Sequence, residues 1–286
     1  MHLPYEKELN LKILYYMAVF MMLLHARNYE EKYLKDSLYL PKGFGLHSDL
    51  GYSVYLIELH SSELDSAISY DVLEFTLGGS YSYSDWLFGV YGKFLVDEIE
   101  SNMYVVTTHS PLNNHANIEK DEFALYLNRT LKKGEKNLWR VNIIYRYSLL
   151  NTVDRYGSFH HYSSNFSYQT DGLALSLFYD KKLNQRDSLS LGGGLVYSRA
   201  EVKMSEFIDD EPQDSFVDNK VNALGVKLSL AYNHKLFSDF FLNLRVDGWQ
   251  HHFEKLPVTS RVGDNLPSAE LRENSYTTYG GVSWRF

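Results

Sequence analysis

The segment VLEFTLGGSYSYSDWLFGVYGKFLVD, residues 72–97, alternates apolar and polar side chains on both sides of a short turn at Ser84-Asp85. In its first half, one face carries Leu73, Phe75, Leu77, Gly79, Tyr81 and Tyr83, and the other face carries Glu74, Thr76, Gly78, Ser80, Ser82 and Ser84. A period of two is typical of a β-strand whose two faces meet different environments. The segment therefore predicts a β-hairpin with one apolar and one polar face.

The same alternation recurs along most of the chain. It is found in residues 123–131, 139–149, 173–179, 189–197, 224–232, 240–246 and 275–286, and an opening strand is expected within residues 44–59. Each run is close to the 9–11 residues with which a tilted strand crosses a membrane. The count is ten strands, and eight or twelve remain open because residues 36–46 and 101–110 are also compatible with strands.

The predicted connections alternate between short and long. The short connections are residues 84–86, 132–137, 180–188 and 233–239, and the long ones are roughly residues 98–119, 151–164, 202–219 and 253–274. Outer-membrane barrels have an even number of strands, short periplasmic turns and longer extracellular loops. The pattern predicts an all-β, antiparallel transmembrane β-barrel over residues 44–286. A soluble sandwich or lipocalin-like barrel, with the apolar face turned inward, is the alternative.

Composition agrees with an exported membrane barrel. The net charge of −8 argues against nucleic acid as a partner, since such proteins usually present a basic surface. The mean hydropathy of −0.33 excludes a bundle of membrane helices, but strands that are only half apolar are compatible with it. The apolar run Ile13 to Leu24 follows Lys7 and Lys12 and predicts a signal peptide over residues 1–26, with a buried helix as the alternative. Residues 27–43 then form an N-terminal segment.

Aromatic residues mark the short-turn ends of the predicted strands. On the apolar face these are Tyr83, Trp86, Trp139, Tyr179, Tyr232, Phe240, Trp284 and Phe286. Amphipathic rings favour the headgroup level of a bilayer, so the pattern predicts an interfacial aromatic girdle.

The last residues, YTTYGGVSWRF, end in phenylalanine after alternating apolar positions. Through Tyr276, Val282, Trp284 and Phe286 they resemble the C-terminal assembly signal of Gram-negative outer-membrane barrels. The resemblance implies location in the bacterial outer membrane and recognition of these four residues by the barrel-assembly machinery. It also implies outer-membrane lipid and lipopolysaccharide as partners.

The polar face is expected to line the barrel lumen. Its charged residues are Glu74, Lys93, Asp97, Arg140, Arg146, Lys227, Arg245, Asp247 and Arg285. A ten-stranded barrel is close to the size at which side chains fill the interior. One interpretation is an internal ionic network packed with Tyr55, Tyr91 and Tyr126. The other is a narrow pore for small solutes whose basic surplus favours anions. Inward glycines, among them Gly78, Gly89, Gly192 and Gly281, permit either open space or close packing.

Two candidate catalytic arrangements bear on function. His161-Tyr162-Ser163 resembles the His and Ser of outer-membrane phospholipase A, but Ser164-Asn165 follows where that family has Asn-Gly. A ten-stranded barrel also resembles the omptin proteases, which use paired acidic residues and an Asp-x-His dyad. Asp97-Glu98 and His251-His252 lie at predicted strand ends, but the chain has no Asp-x-His.

Metal and cofactor sites are only weakly indicated. The paired histidines 251 and 252 are two potential ligands without a placed carboxylate. The loop SEFIDDEPQDSFVDN carries Glu206, Asp209, Asp210, Glu211, Asp214 and Asp218, which predicts a solvated loop or a site for divalent cations. No cofactor is expected. The leading function is a porin-like narrow channel or a surface-binding barrel, and a barrel hydrolase of the omptin or phospholipase type is the alternative.

Overall fold

The computed structural model describes residues 43–60, 64–96, 99–107, 110–156, 162–208, 211–212, 217–237, 239–259 and 265–286. The predicted signal peptide and nearly all of the N-terminal segment, residues 1–42, lie outside these ranges. In the described parts of the chain, no helix is long and apolar enough to cross a membrane.

All described elements are β-strands. They are β1 (Gly43–His60), β2 (Leu64–Tyr83), β3 (Trp86–Leu95), β4 (Ile99–Thr107), β5 (Ser110–Lys133), β6 (Asn137–Tyr156), β7 (Tyr162–Lys182), β8 (Asp187–Ile208), β9 (Glu211–Pro212), β10 (Val217–Phe237), β11 (Phe240–Phe253), β12 (Leu256–Thr259) and β13 (Asn265–Arg285).

These segments form one antiparallel sheet closed on itself. β1 pairs with β2 on one side and with β13 on the other, which closes the barrel. β3 and β4 both lie between β2 and β5 and are successive parts of one barrel strand. β11 and β12 both pair with β13 and are likewise successive parts of one barrel strand. β9 pairs only with the end of β8 and is not counted as a barrel strand. Among the described residues, ten strands therefore surround the lumen, as the sequence predicts.

The apolar face points outward around the short-turn half of the barrel. Exposed side chains there include Leu77, Phe88, Leu125, Leu175, Leu195, Leu224, Leu228 and Leu244. Polar side chains of the intervening positions, such as Glu74, Lys93 and Asp247, are buried inside. A water-soluble barrel would have the opposite arrangement, so this belt of exposed leucine and phenylalanine is suited to lipid.

The two faces exchange character where the strands continue past the belt. On β8, Leu195 and Tyr197 point outward, and the next outward residues are Arg199, Glu201 and Lys203. Inward positions on these continuations are apolar and buried: Tyr55, Ile57, Tyr70, Val72, Ile118, Leu150, Tyr168, Ala200, Val202, Val221, Ala223, Phe253, Leu256, Ala269 and Leu271. We call this cluster the upper core. The wall above the belt is therefore a water-soluble barrel continuous with the membrane barrel below it.

The continuations correct the predicted strand lengths. β5 has 24 residues and β8 has 22, about twice the expected span. Much of the predicted long connections is paired strand, including residues 110–118, 151–156 and 265–274. The prediction recognised only strands with an apolar outer face, and above the belt that face is polar. Residues 101–107 belong to β4 and do not add a strand to the barrel.

The predicted girdle is present with one correction. Tyr83, Trp139 and Phe286 are exposed on the outer surface, and Trp86, Tyr179, Tyr232 and Trp284 are half-buried. Phe240 is buried, because its ring stacks on that of Phe237 at a centroid distance of 5.1 Å. Exposed Tyr52, Tyr145, Tyr197 and Tyr276 form a second ring where the belt ends. Aromatic residues thus flank the apolar belt on both sides, as expected at two membrane interfaces.

Candidate functional site

A buried layer of charged residues crosses the lumen beneath the upper core. The Glu74 carboxylate lies 3.1 Å from Lys120 Nζ and 3.4 Å from Lys93 Nζ. It also accepts hydrogen bonds from Ser53 Oγ at 2.6 Å and Tyr55 Oη at 2.8 Å. Four donors from three strands, β1, β3 and β5, thus compensate one buried carboxylate, which is what a buried charge requires.

The layer continues from Lys93 across the barrel. Lys93 Nζ is 3.5 Å from Glu122 Oε2, and Arg146 approaches Glu122 at 3.8 Å and Glu273 at 3.9 Å. Glu273 accepts a hydrogen bond from Tyr168 Oη at 2.9 Å. We call Glu74, Lys93, Lys120, Glu122, Arg146 and Glu273 the ionic layer.

Glu273 also faces His251, whose Nδ1 is 3.0 Å from Glu273 Oε2. Burial alone raises the pKa of Glu273. The neighbouring His251 and the cationic Arg146 and Lys120 outweigh that effect and lower the pKa of Glu273 to about 2. Glu273 is thus held as a carboxylate within the barrel.

Below the ionic layer the lumen contains a polar cavity of about 330 Å³. Lys93, Glu122 and Trp249 lie at its inner end, and Arg140, Asp180, Asn233, Ser283 and Arg285 line it toward the short-turn end. Because Ala231, Asn233, Asn243, Arg245 and Arg285 point into the lumen and are still half-buried, the cavity is wide enough for solvent. Short turns are periplasmic in outer-membrane barrels, so we expect the cavity to face the periplasm.

The cavity wall carries charges of both signs. Arg140 binds the Asp180 carboxylate through two nitrogens, with Nη2 at 3.0 Å from Oδ1. Arg245 Nε is 3.1 Å from Asp247 Oδ2, and the other Asp247 oxygen accepts a hydrogen bond from Ser229 at 2.6 Å. Two of the wall's basic residues are therefore paired with carboxylates.

Glycines explain why the lumen is open at this level. A Cβ on Gly89 would lie 2.1 Å from Tyr126 Cζ, and one on Gly192 would lie 2.3 Å from Phe178 Cε1. A Cβ on Gly281 would lie 1.9 Å from Asp49 Oδ1. The large side chains therefore lie flat across glycines of neighbouring strands instead of pointing to the axis. The inward glycines permit close packing along the wall, and that packing leaves space at the centre.

The predicted lumen residues can now be placed. Glu74, Lys93, Arg146, Lys227 and Asp247 are buried inside the barrel, and Arg140, Arg245 and Arg285 line the cavity. Asp97 lies outside the described residues. The structure also places carboxylates inside that the prediction missed: Asp49, Glu122, Asp180 and Glu273. They reduce the expected basic surplus.

Three of the missed residues share a cause, whereas Asp49 lies within the predicted opening strand, whose register is less clear from the sequence. Glu122 precedes the predicted start of its strand, Asp180 was assigned to a turn, and Glu273 was assigned to a long connection. Continuing the period-2 count through those boundaries would have placed all three on the inward face.

The candidate catalytic and metal residues do not form a common site in the described part of the chain. His251 points inward and is 1 % exposed, whereas His252 points outward into solvent. The two histidines are therefore on opposite faces and do not share a ligand. His161 and the acidic residues 206–218 lie outside the described side chains. Within the described residues, no group of three or more His, Asp or Glu side chains is arranged to hold a metal ion.

The predicted assembly-signal residues lie on the outer surface of β13. Tyr276 and Phe286 are exposed, and Val282 and Trp284 are half-buried. The Phe286 backbone exchanges two 2.8 Å hydrogen bonds with Phe44 of β1. Recognition of these residues by an assembly machinery stays a prediction.

Comparison with known proteins identifies the fold. No family model matches the sequence, and no curated protein matches it. The outer membrane protease OmpT from Escherichia coli has a similar structure, with a TM-score of 0.65 at 10 % identity over 88 % of this chain and 100 % of that one. The translocator domain of the autotransporter NalP from Neisseria meningitidis gives 0.47 at 13 % identity over 85 % and 89 % of the two chains. The outer membrane protein OprG from Pseudomonas aeruginosa gives a TM-score of 0.41 at 11 % identity, over 88 % of this chain and 99 % of that one.

The similarity to OmpT, at 10 % identity, establishes a common architecture and no closer relationship. The closed ten-strand barrel, the apolar belt and the polar lumen all agree with it. The protein therefore has the fold of the Gram-negative outer-membrane β-barrels, consistent with a place in the bacterial outer membrane.

Proposed function

We propose that this protein is a surface-binding barrel whose lumen is closed, and that it acts through its outer end. The observation that carries the proposal is the upper core, in which inward side chains from across the barrel pack together. Tyr168 of β7 and Phe253 of β11, on strands that are not neighbours in the barrel, have ring centroids 6.1 Å apart, and Leu256 and Leu271 are fully buried. An ion crossing the membrane would have to pass both this apolar layer and the ionic layer.

The wall above the belt supports a role at the cell surface. Residues 64–71 of β2 and 110–121 of β5 continue past the last belt residues on those strands. Its described outer face carries charges of both signs, including Asp71, Glu119, Asp121, Arg199, Lys203, Lys220 and Arg272. A rigid hydrophilic wall of this kind suits the presentation of loops, since scaffolds of paired strands hold binding loops in position.

Lipopolysaccharide is the partner we propose for the base of this wall. Arg199 lies directly beyond the belt residue Tyr197, and Lys203 and Lys220 flank Glu201 at 2.7 and 3.0 Å. Arginine and lysine side chains bind phosphate groups through charge-assisted hydrogen bonds, which supports this proposal. Binding of purified lipopolysaccharide should weaken in the Arg199→Glu, Lys220→Glu double variant and stay unchanged in Lys132→Glu, at the opposite end.

Planar-bilayer conductance of the refolded chain from residue 27 tests the closed lumen. We expect a correctly folded, heat-modifiable protein that gives no discrete current steps. Reproducible steps whose ion selectivity reverses in Lys93→Glu would overturn the proposal and establish a channel.

A narrow channel is the second candidate, and the polar cavity favours it. The cavity already supplies a hydrated path through the lower half of the lumen. Conduction would require the upper core to separate, so the current should rise when Tyr168 and Phe253 are both changed to Ala. No current in that double variant would exclude gating by the upper core.

The hydrolase alternative rests on the barrel fold shared with OmpT, which is described as a protease. Of the two described His–carboxylate pairs, His251–Glu273 lies inside the barrel where a polypeptide cannot reach it, and His234–Asp187, at 2.7 Å, lies at the short-turn end, away from the outer rim. A hydrolase would lose peptide- or lipid-cleaving activity on changing His161 or His252. Absence of cleavage in the wild-type protein would remove this alternative.

A further inference from the structure

The cavity below the ionic layer is a blind pocket rather than a segment of an open path. Its inner end is closed by the Lys93–Glu122 ion pair and by Trp249, with the upper core beyond them. Its volume of about 330 Å³ lies at the lower end of the range for small-molecule sites. A single small molecule from the periplasm therefore fits it.

Two cations on the cavity wall lack a carboxylate partner. Among the described residues, neither Lys227 nor Arg285 has a carboxylate oxygen within 4.0 Å, unlike Arg140 and Arg245. Lys227 Nζ lies 4.5 Å from the Trp249 ring centroid, and the Arg285 guanidinium lies 4.7 Å from that of Phe241. Lys227 is also 6 % exposed. A buried cation with no carboxylate in contact is costly, and an anion entering the cavity relieves that cost.

The rest of the wall offers neutral hydrogen-bonding groups. Amides and hydroxyls of Asn128, Asn142, Ser188, Asn233, Asn243 and Ser283 line the cavity. Such groups both donate and accept hydrogen bonds, which suits a ligand with several hydroxyls. The apolar lining is mainly aromatic and lies flat on the wall, as described for Tyr126 and Phe178.

From these features we infer that the lower lumen is a periplasm-facing binding site for a small hydroxylated anion, such as a phosphorylated sugar. Arg285 attracts the anion at the mouth, Lys227 meets it at the inner end, and the amides and hydroxyls contact its neutral part. The site is at the opposite end from the surface-binding wall, so each proposal can fail without the other.

Isothermal titration of the refolded protein in detergent tests the site with glucose 6-phosphate, glucose and inorganic phosphate as probes. We expect saturable 1:1 binding of glucose 6-phosphate, at least tenfold weaker binding of phosphate and none of glucose. Glucose binding as tight as that of its phosphate would contradict an anion site. No saturable heat with any probe would overturn the proposal and leave a water-filled cavity.

Three variants locate the binding. Arg285→Gln should weaken the binding of glucose 6-phosphate at least tenfold, whereas Arg272→Gln, which removes the same charge from the outer wall, should leave that binding unchanged. Equal losses in both would mean surface attraction and would contradict the proposal. Ala231→Phe adds a ring to the cavity without altering any charge and should abolish binding; wild-type affinity there would place the ligand elsewhere.

Arg285 lies at the end of the C-terminal strand, where a substitution can impair folding. Lys227→Met is therefore a second variant, and it tests the inner end of the cavity independently. A folded Lys227→Met protein with undiminished affinity would contradict the role of the buried cation. Heat-modifiability on a gel confirms folding of every variant before titration.

Discussion

The lumen is built in two different ways above and below the ionic layer. Above it, the strands contain no glycine in residues 55–60, 64–72, 148–156, 198–208, 217–224 and 265–275, and large apolar side chains point to the axis and meet. Below it, glycines lie beside large side chains, which therefore lie along the wall and leave a cavity. The same ten strands thus enclose a packed core at one end and an open cavity at the other. The difference shows that side-chain direction, as well as strand number, decides whether a small barrel is filled.

Thiol accessibility should separate the two halves most clearly. The chain has no cysteine, and Ala231 and Ala223 both point inward on β10, the first beside the cavity and the second in the upper core. In detergent, Ala231→Cys should react with a small methanethiosulfonate reagent at least 100-fold faster than Ala223→Cys. Similar rates would mean that the upper core is open to water.

The same pair of variants tests orientation in the membrane. In intact cells, a thiol reagent that cannot cross the outer membrane should label Ala231→Cys only after the membrane is permeabilised. Labelling of intact cells would mean that the cavity faces the cell exterior.

Removing one aromatic ring from each half should lower the free energy of unfolding by unequal amounts. Phe253 is buried in the upper core, so Phe253→Ala should lower the free energy of unfolding by about 3–5 kcal/mol. Phe178 is only half-buried beside the cavity, and Phe178→Ala should cost on the order of 2 kcal/mol. Denaturant titration followed by the heat-modifiability shift measures both. Equal losses would contradict the unequal packing of the two halves.

Acid should weaken the barrel at the boundary between the halves through Glu273. Its pKa in the folded protein is about 2, below the usual value near 4.3, because His251 and Arg146 favour the carboxylate despite burial. A depressed pKa contributes stability that is present above about pH 4.3 and is lost as the pH falls toward 2, in total about 3 kcal/mol. We expect Glu273→Gln to lack this part of the acid dependence.

The outward residue Glu119 supplies the control for the acid experiment. Glu119→Gln removes a carboxylate from the outer wall and should retain the wild-type loss of stability between pH 4.3 and 2. Denaturant titrations of the three proteins across this pH range make the comparison. Parallel curves for wild type and Glu273→Gln would show that Glu273 is not the titrating group.

The smallest effect is expected from adding one methyl group to a glycine of the lower half. Gly89→Ala forces Tyr126 off the wall toward the axis and should cost about 1–3 kcal/mol. Gly280→Ala adds the same methyl to the outer face, 3.8 Å from Leu244, and should change stability by less than about 0.5 kcal/mol. Adding Tyr126→Ala to Gly89→Ala should remove the steric part of the loss. An unaltered loss would mean that the ring does not lie against this glycine.

The membrane half could be predicted from sequence, because its alternation has a strong signal, with an aliphatic or aromatic residue at most outward positions. Strand number, closure and the inward position of Glu74, Lys93 and Asp247 all followed from that period. The sequence pattern predicts loops for the upper half, because its outward positions are charged, as at Arg199 and Glu201, and its apolar residues point inward. The alternation itself continues there with its faces exchanged.

The cavity could not be predicted, because it depends on pairs of residues far apart in sequence. The contacts of Gly281 with Asp49 and of Gly89 with Tyr126 can be recognised only when the register between the strands is known. The partners of each buried charge depend on register in the same way. Composition of the inward face was therefore accessible from sequence, and its packing was not.

The pairing of Phe44 with Phe286 has a consequence for how the barrel forms. Apart from the seam between β1 and β13, the pairings around the barrel join strands that are neighbours in the chain, so they can form as hairpins in succession. The seam joins residues more than 200 positions apart, such as Ser53 and Thr277, which lie 2.7 Å apart through their hydroxyls. Loop-closure entropy makes such contacts slow to form. Until the last strand arrives, the growing sheet has two unpaired edges that can join other chains, so the time before closure is when this protein is most exposed to aggregation.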